Sequence, residues 1–288
     1  MSIFHQAIAL LVVFIWGTNF VFIRIGLDEL APFTFATLRF VLVVIPLAFI
    51  FSKPKASWRS LIGYGLFIGF GQFGLLFWAM QSNITPGLAS LIIQMQVFFT
   101  ILLAVFLANE TINRKQIIAL CLCALGLAII IAYTDGQTTL IGIVVVLLAA
   151  FSWSCGNLVV KTIGDVDVLA FIVWSSIFAI PPLALMAYFT EGMDVITQSV
   201  MQASCKVWLV ILWQSIGNTL VGYGLWNLLL NKYSAATVVP WALLVPVFGM
   251  AASAIVLSEP LPWWKLVAMV LIITGLAFNM LNTRGQAS

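Results

Sequence analysis

Charge is scarce in this sequence. Asp, Glu, Lys and Arg make up 7% of its 288 residues, against roughly 25% in an ordinary soluble domain. Histidine is rarer still, with a single residue at position 5, and no acid falls inside a long apolar run. Most hydrolase and metal chemistries therefore lack their acid–base parts and ligands. The four cysteines, Cys121, Cys123, Cys155 and Cys205, follow no zinc or haem spacing and no secreted disulfide framework. Cys121 and Cys123, two apart on a helix, point to nearly opposite faces and read as small packing residues. Twelve basic against nine acidic residues give a net charge of +3, too small and too dispersed for a nucleic-acid footprint. No cofactor, no metal and no nucleic-acid partner is expected.

Apolar residues are abundant: 63% of the chain is hydrophobic, and the mean hydropathy of +1.17 places them in long runs that need lipid as their solvent. Roughly 20 apolar residues cross a bilayer. Ten spans are predicted, approximately at 6–25, 32–52, 60–80, 86–108, 115–133, 138–160, 168–189, 207–230, 234–257 and 263–282. Charged and breaker clusters separate them, among them Lys53-Pro54-Lys55, Asn109-Glu110, Asp135-Gly136 and Ser258-Glu259-Pro260. The first span is not a cleaved signal peptide by its pattern: no Lys or Arg precedes it, and Asn19 and Arg24 follow without an A-x-A site. No linker is long enough to hold a soluble domain.

Ten spans put both termini on one side. That side carries Lys53, Lys55, Arg59, Arg114, Lys115, Lys161, Lys232 and Arg284, while the other carries Arg24, Lys206 and Lys265 with six of the nine acids. Basic residues favour the cytoplasm, so both termini are expected there. The chain also resembles itself. Asn109-Glu110-Thr111-Ile112 with Gly126-Leu127-Ala128 recurs 149 positions later as Ser258-Glu259-Pro260-Leu261 with Gly275-Leu276-Ala277. Trp16 and Arg24 recur as Trp153 and Lys161, and Gly74 and Trp78 as Gly222 and Trp226. Each half, 1–135 and 136–288, holds five spans, an odd number, so the second half is inverted relative to the first. The expected fold is an all-α polytopic membrane protein, ten transmembrane helices arranged as two inverted five-helix repeats. Inverted repeats characterise secondary transporters, with a site near the midplane between the halves.

Polar residues inside spans are functional candidates, because burying them is costly unless they are partnered. Arg39 falls roughly 10 Å into the second span. It answers either to a substrate carboxylate or, structurally, to carbonyls of a neighbouring helix or the membrane surface. Trp16 and Asn19 share one helix face, as do Trp153 and Asn157; the equivalent faces of two repeats are expected to meet across a cavity. An amide can bond an ammonium and a carboxylate, and an indole can wall a cavity or hold a cation, although Trp also forms interfacial belts and Asn joins helices. In the fourth span Gln94 is the cavity candidate and shares a face with Ser90, while Gln96 points elsewhere, toward a helix contact. Gln72, Asn218, Tyr223 and Asn227 are weaker candidates. Pro240 and Pro246 each remove a backbone donor in the ninth span and leave bends or free carbonyls there.

The stretches Trp16-Gly17-Thr18-Asn19-Phe20, Leu38-Arg39-Phe40, Pro86-Gly87-Leu88-Ala89-Ser90-Leu91, Ala150 to Asn157, Val221 to Trp226 and Leu243 to Val247 resemble the EamA-type transporters of the drug/metabolite transporter superfamily. The resemblance runs from about residue 6 to 282 and is closest to bacterial exporters of amino-acid metabolites such as O-acetylserine and cysteine. It implies a ten-helix basket in a bacterial inner membrane, whose central cavity opens alternately to each side and releases small zwitterionic metabolites. The absence of several cavity Lys or Arg argues against a phosphate-handling branch. The absence of a membrane carboxylate argues against exchange of cationic drugs for protons.

The expected function is export of small neutral or zwitterionic amino-acid metabolites, with Trp16, Asn19, Arg39, Gln94, Trp153, Asn157, Tyr223, Trp226 and Pro240 as substrate-binding residues. The expected partners are a small-molecule substrate and the lipid bilayer. An exporter of aromatic or drug-like compounds is the alternative. An intramembrane enzyme would need an acid–base partner for Ser90 or Cys155, and none is visible, so no enzyme is expected.

Overall fold

The computed structural model describes residues 1–108, 114–133, 137–233 and 235–283. The Asn109–Ile112 member of the internal repeat, the Asp135-Gly136 break and Arg284 lie outside them. Among the described residues the chain is helical and contains no β-strand. In chain order the helices are α1 (Ile3–Leu27), α2 (Pro32–Leu47), α3 (Trp58–Ser82), α4 (86–108), α5 (Arg114–Ala132) and α6 (Leu140–Lys161), then α7 (Val168–Thr190), α8 (Met193–Gln202), α9 (205–232), α10 (235–256) and α11 (Trp263–Thr283). Seven of them are long and apolar enough to cross a bilayer. The pair α8–α9, bent by 99°, makes an eighth when counted as one broken span, and Pro32–Leu47 and Trp263–Asn279 are shorter apolar helices.

The sequence explains most boundaries. Ser2, Ser57, Thr139, Asp167 and Ser204 cap the starts of α1, α3, α6, α7 and α9 through their side-chain oxygens, and Pro32 and Pro86 stand at first-turn positions where no donor is lost. Two boundaries differ from expectation. α2 closes at Leu47 rather than near residue 52, because Pro46 withdraws a backbone donor from its last turn. α8 falls in a stretch expected to be a loop: its ten residues are amphipathic rather than continuously apolar, with none buried.

Five helices carry an irregular segment, α7 among them, which opens to a turn over residues 177–179. α3 is π-helical over Gly65–Gly74 and α9 over Trp213–Gly222, while α4 tightens to a 3₁₀ turn at Ile93–Met95 and α10 at Val239–Leu244. In the α3 π segment, a methyl group at Gly69 would collide with Ala179 of α7 and one at Gly71 with Ser152 of α6, so glycine is what allows three helices to approach this closely.

α5 and α11 lie along each other through a reciprocal contact. Gly126 sits against Ile272 and the carbonyl of Ala268, and Gly275 against Cys123 and the carbonyl of Ala119. Each contact is the other displaced by 149 residues, and the two helices run antiparallel, since a higher position on one meets a lower position on the other.

The two ends of the bundle differ chemically. At one end the start of α1 meets the end of α9: Ser2 N–H donates to Tyr233 Oη at 3.3 Å, and His5 Nδ1 lies 2.6 Å from Ser2 Oγ and 3.2 Å from Tyr233 Oη. At the opposite end three carboxylates reach helix starts in the other half of the chain. Glu191 accepts from the Phe33 and Thr34 N–H groups at 2.6 and 3.1 Å and from Thr34 Oγ1 at 2.6 Å. Glu29 accepts from Ser204 N–H at 2.7 Å and its hydroxyl at 2.8 Å. Glu259 accepts from Gly87 N–H at 3.0 Å and from the Lys265 ammonium at 2.9 Å. Each places negative charge where the helix dipole is positive.

Candidate functional site

A cavity of about 780 Å³ lies between the helices, from mid-bundle toward the end where α1 begins. α1 contributes Trp16, Asn19 and Phe20, and α3 contributes Tyr64, Gln72, Phe73 and Leu76. The first half closes with Ile93, Gln94, Gln96 and Val97 of α4; the second half supplies Trp153 and Asn157 from α6 and Asn218, Tyr223 and Trp226 from α9. α10 adds Pro240 and its neighbours, and α11 adds Leu276 and Asn279. Of the nine residues expected to bind substrate, eight line this cavity, and the Trp16/Asn19 and Trp153/Asn157 faces meet there as expected.

Irregular backbone sets several of these side chains. A 3₁₀ turn eclipses residues three apart, so Gln96 comes into line with Ile93 and faces the cavity alongside Gln94. The expectation that Gln96 points elsewhere assumed an unbroken α-helix. Gln96 Oε1 accepts from Asn157 Nδ2 at 2.8 Å, and Thr100 Oγ1 lies 3.4 Å from the same nitrogen. In α10, Pro246 has no N–H to offer the carbonyl of Ala242 four residues earlier. That carbonyl accepts instead from Val245 N–H and from Gln94 Nε2, the latter at 3.4 Å. The carbonyl that Pro246 releases is therefore not left free, as the two prolines were expected to leave it, but is taken up by these two donors.

The wall combines aromatic rings with amides. Trp16 packs tilted against Tyr223 and Trp226, with centroids 5.3 and 5.1 Å away. Its Nε1–H is buried without a partner, as are the Oδ1 atoms of Asn19, Asn218 and Asn279. Buried polar atoms are nearly always bonded, and these four belong to residues that line the cavity, although the atoms themselves are closed off from it. Among the described residues no Asp, Glu, Lys or Arg lines it.

Arg39 stands apart. It is 2% exposed and borders a second, small cavity of about 20 Å³ with Ser175, Ser176 and Thr219, and Tyr64, Phe73 and Tyr223 line both cavities. Ser90 is not at the wall; it donates to the carbonyl of Gly87 at 2.7 Å, and Asn227 does not line the cavity either. The sequence reading missed Tyr64, Gln214 and Asn279. Gln214 and Asn279 were visible as lone amides inside apolar runs; Tyr64, near a span end, looked like an interfacial residue.

The EamA-like transporter family matches the chain twice, over residues 4–132 and 140–281. A probable amino-acid metabolite efflux pump of Salmonella typhimurium strain LT2 is 41% identical over 283 residues, covering 96% of this chain and 95% of its own. Its namesake in Escherichia coli strain K12 is 38% identical with the same coverage. A solved crystal structure superposes with a TM-score of 0.60, covering 97% of this chain and 98% of its own at 14% identity, a likeness of fold alone.

Proposed function

The chain belongs to the EamA-like transporter family, a multi-pass membrane protein of the efflux type, and from that premise we propose that it exports small neutral or zwitterionic amino-acid metabolites by alternating access. O-acetylserine- and cysteine-like compounds are the expected cargo, the bacterial inner membrane is the site, and both termini face the cytoplasm. The observation that carries the substrate class is the large cavity with no charged side chain among its described lining residues, walled by amides and aromatic rings. Trp16, Asn19, Gln94, Trp153, Asn157, Tyr223, Trp226 and Pro240 hold the substrate there, and Arg39 supplies the nearest positive charge.

We read the architecture as ten spans in two inverted repeats, residues 1–135 and 136–288. The reciprocal, antiparallel α5–α11 contact at a 149-residue offset supports it, because only a two-fold relation exchanges such a contact with itself. The paired π segments, the paired 3₁₀ segments and the double family match point the same way. The cavity lies toward the terminal, basic end, while Glu29, Glu191 and Glu259 hold the opposite end together. This is the cytoplasm-facing state, and export requires those three contacts to part.

Uptake into inside-out vesicles tests the reading. A labelled amino-acid panel is presented with an imposed proton gradient, normalised to inserted protein. Asn19→Leu and Asn157→Leu each raise the half-saturating concentration about tenfold to hundredfold, the value of a hydrogen bond to a charged group. Unchanged affinity in both would remove these amides from the site. The aromatic walls favour one other cargo, aromatic or drug-like compounds; uptake of those in preference to amino acids would replace the first reading with the second.

A further inference from the structure

Arg39 carries five N–H donors in a planar fork and keeps its charge, yet few of those donors are engaged. Nε donates to the Gln214 carbonyl at a long 3.5 Å. The guanidinium carbon stands 3.7 Å from the Phe73 ring centre and 4.9 Å from that of Phe40, contacts that ease the charge but offer no acceptor. Nη1 is buried with no hydrogen-bond partner, and no carboxylate pairs with Arg39 among the described residues.

The π segment of α9 is shaped around this side chain. The Gln214 carbonyl also accepts from Thr219 Oγ1, five residues on, and Ser215 Oγ donates to the Arg39 carbonyl at 2.9 Å. Gln214 Nε2 donates to the Asn19 carbonyl at 3.3 Å, so one residue ties Arg39 to the wall of the large cavity. Against the guanidinium lies the chamber of about 20 Å³, room for one water-sized group.

We propose that this chamber is a carboxylate subsite opening off the transport cavity. A zwitterionic substrate lies across the wall formed by Tyr64, Phe73 and Tyr223, with one carboxylate oxygen at the Arg39 guanidinium. Its ammonium and side chain remain in the large cavity, whose wall includes Asn19 and Asn218. The small chamber sets the polarity of the bound substrate, and the large one sets how big its side chain can be. The inference rests on the proposed export of amino-acid metabolites and makes a carboxylate obligatory for tight binding.

The test is equilibrium binding to the purified full chain in lipid nanodiscs, using labelled L-serine, L-serinamide and ethanolamine, with thermal stabilisation by sodium formate read separately. Wild-type protein binds serine about tenfold to hundredfold more tightly than either carboxylate-free ligand, the value of a charge-assisted hydrogen bond. Arg39→Gln removes that preference by weakening serine, and it leaves serinamide and ethanolamine unchanged or tighter because a repelling charge has gone. Arg39→Lys, which keeps charge without the fork, falls between. Formate stabilises the wild type more than Arg39→Gln. Equal binding of serine and serinamide by wild type overturns the subsite without any variant having to fold. Serine binding that Arg39→Gln leaves intact overturns it too. Failure of all three amino ligands, with formate still stabilising wild type alone, sinks the exporter reading and keeps the anion subsite.

Discussion

Glu29 shows how far one side chain can be followed. Its carboxylate accepts both the backbone N–H and the hydroxyl of Ser204 at the start of α9, and these two bonds hold its pKa below the ordinary carboxylate value, with Lys206 adding a smaller attraction. A depressed native pKa contributes stability above the unfolded value and loses it as the pH falls through the native one. Glu29→Gln should therefore destabilise the protein at neutral pH and make no difference once acidification has protonated Glu29 in the wild type. Thermal unfolding of both proteins across pH reads this, and a stability gap that stays constant into acid would remove Glu29 as an ionised clasp. Residue types of this kind were legible in the sequence, but partners were not: Glu29 and Ser204 stand 175 positions apart.

At the scale of elements, the spans were legible because lipid demands about 20 apolar residues wherever a helix crosses. Their irregular turns were not. The π segment of α3 holds Gly65, Gly69, Gly71 and Gly74, a glycine density visible in the sequence, but not which turns widen or which neighbours they meet. The reciprocal α5–α11 contact was half legible, since Gly126-Leu127-Ala128 and Gly275-Leu276-Ala277 announced equivalence without showing that the two copies touch. A methyl at Gly126 would lie 2.7 Å from Ile272 Cγ1, and one at Gly275 2.6 Å from Cys123 Sγ. Gly126→Ala and Gly275→Ala are each expected to cost about 1–3 kcal/mol by overpacking, and to cost alike because the contact is two-fold. Damage from one substitution and tolerance of the other, measured by thermal unfolding, would contradict the two-fold relation.

The proposed topology rests on a basic end and an acidic end, the basic one turned to the cytoplasm. A reporter fused after Ser288 should read cytoplasm, and one inserted after Gly192, between α7 and α8, the opposite side. The same side for both would break the span count. Lys265, counted among the basic residues of the acidic end, is 1% exposed and paired with Glu259, which leaves the charge bias across the membrane sharper than the sequence count suggested. The sequence by itself determined the lipid-compatible composition, most helix positions and the residue types offered to a guest, because each follows from composition and local periodicity along one chain. Only the tertiary structure decided that Gln96 joins Gln94 at the cavity, that three carboxylates cap helices of the other half, and that Arg39 sits in a separate chamber behind two tyrosines. Periodicity assigns a side chain to a face of its own helix, while the groups that meet that face come from other segments, 61 residues away for Gln96 and Asn157 and 195 for Asn19 and Gln214.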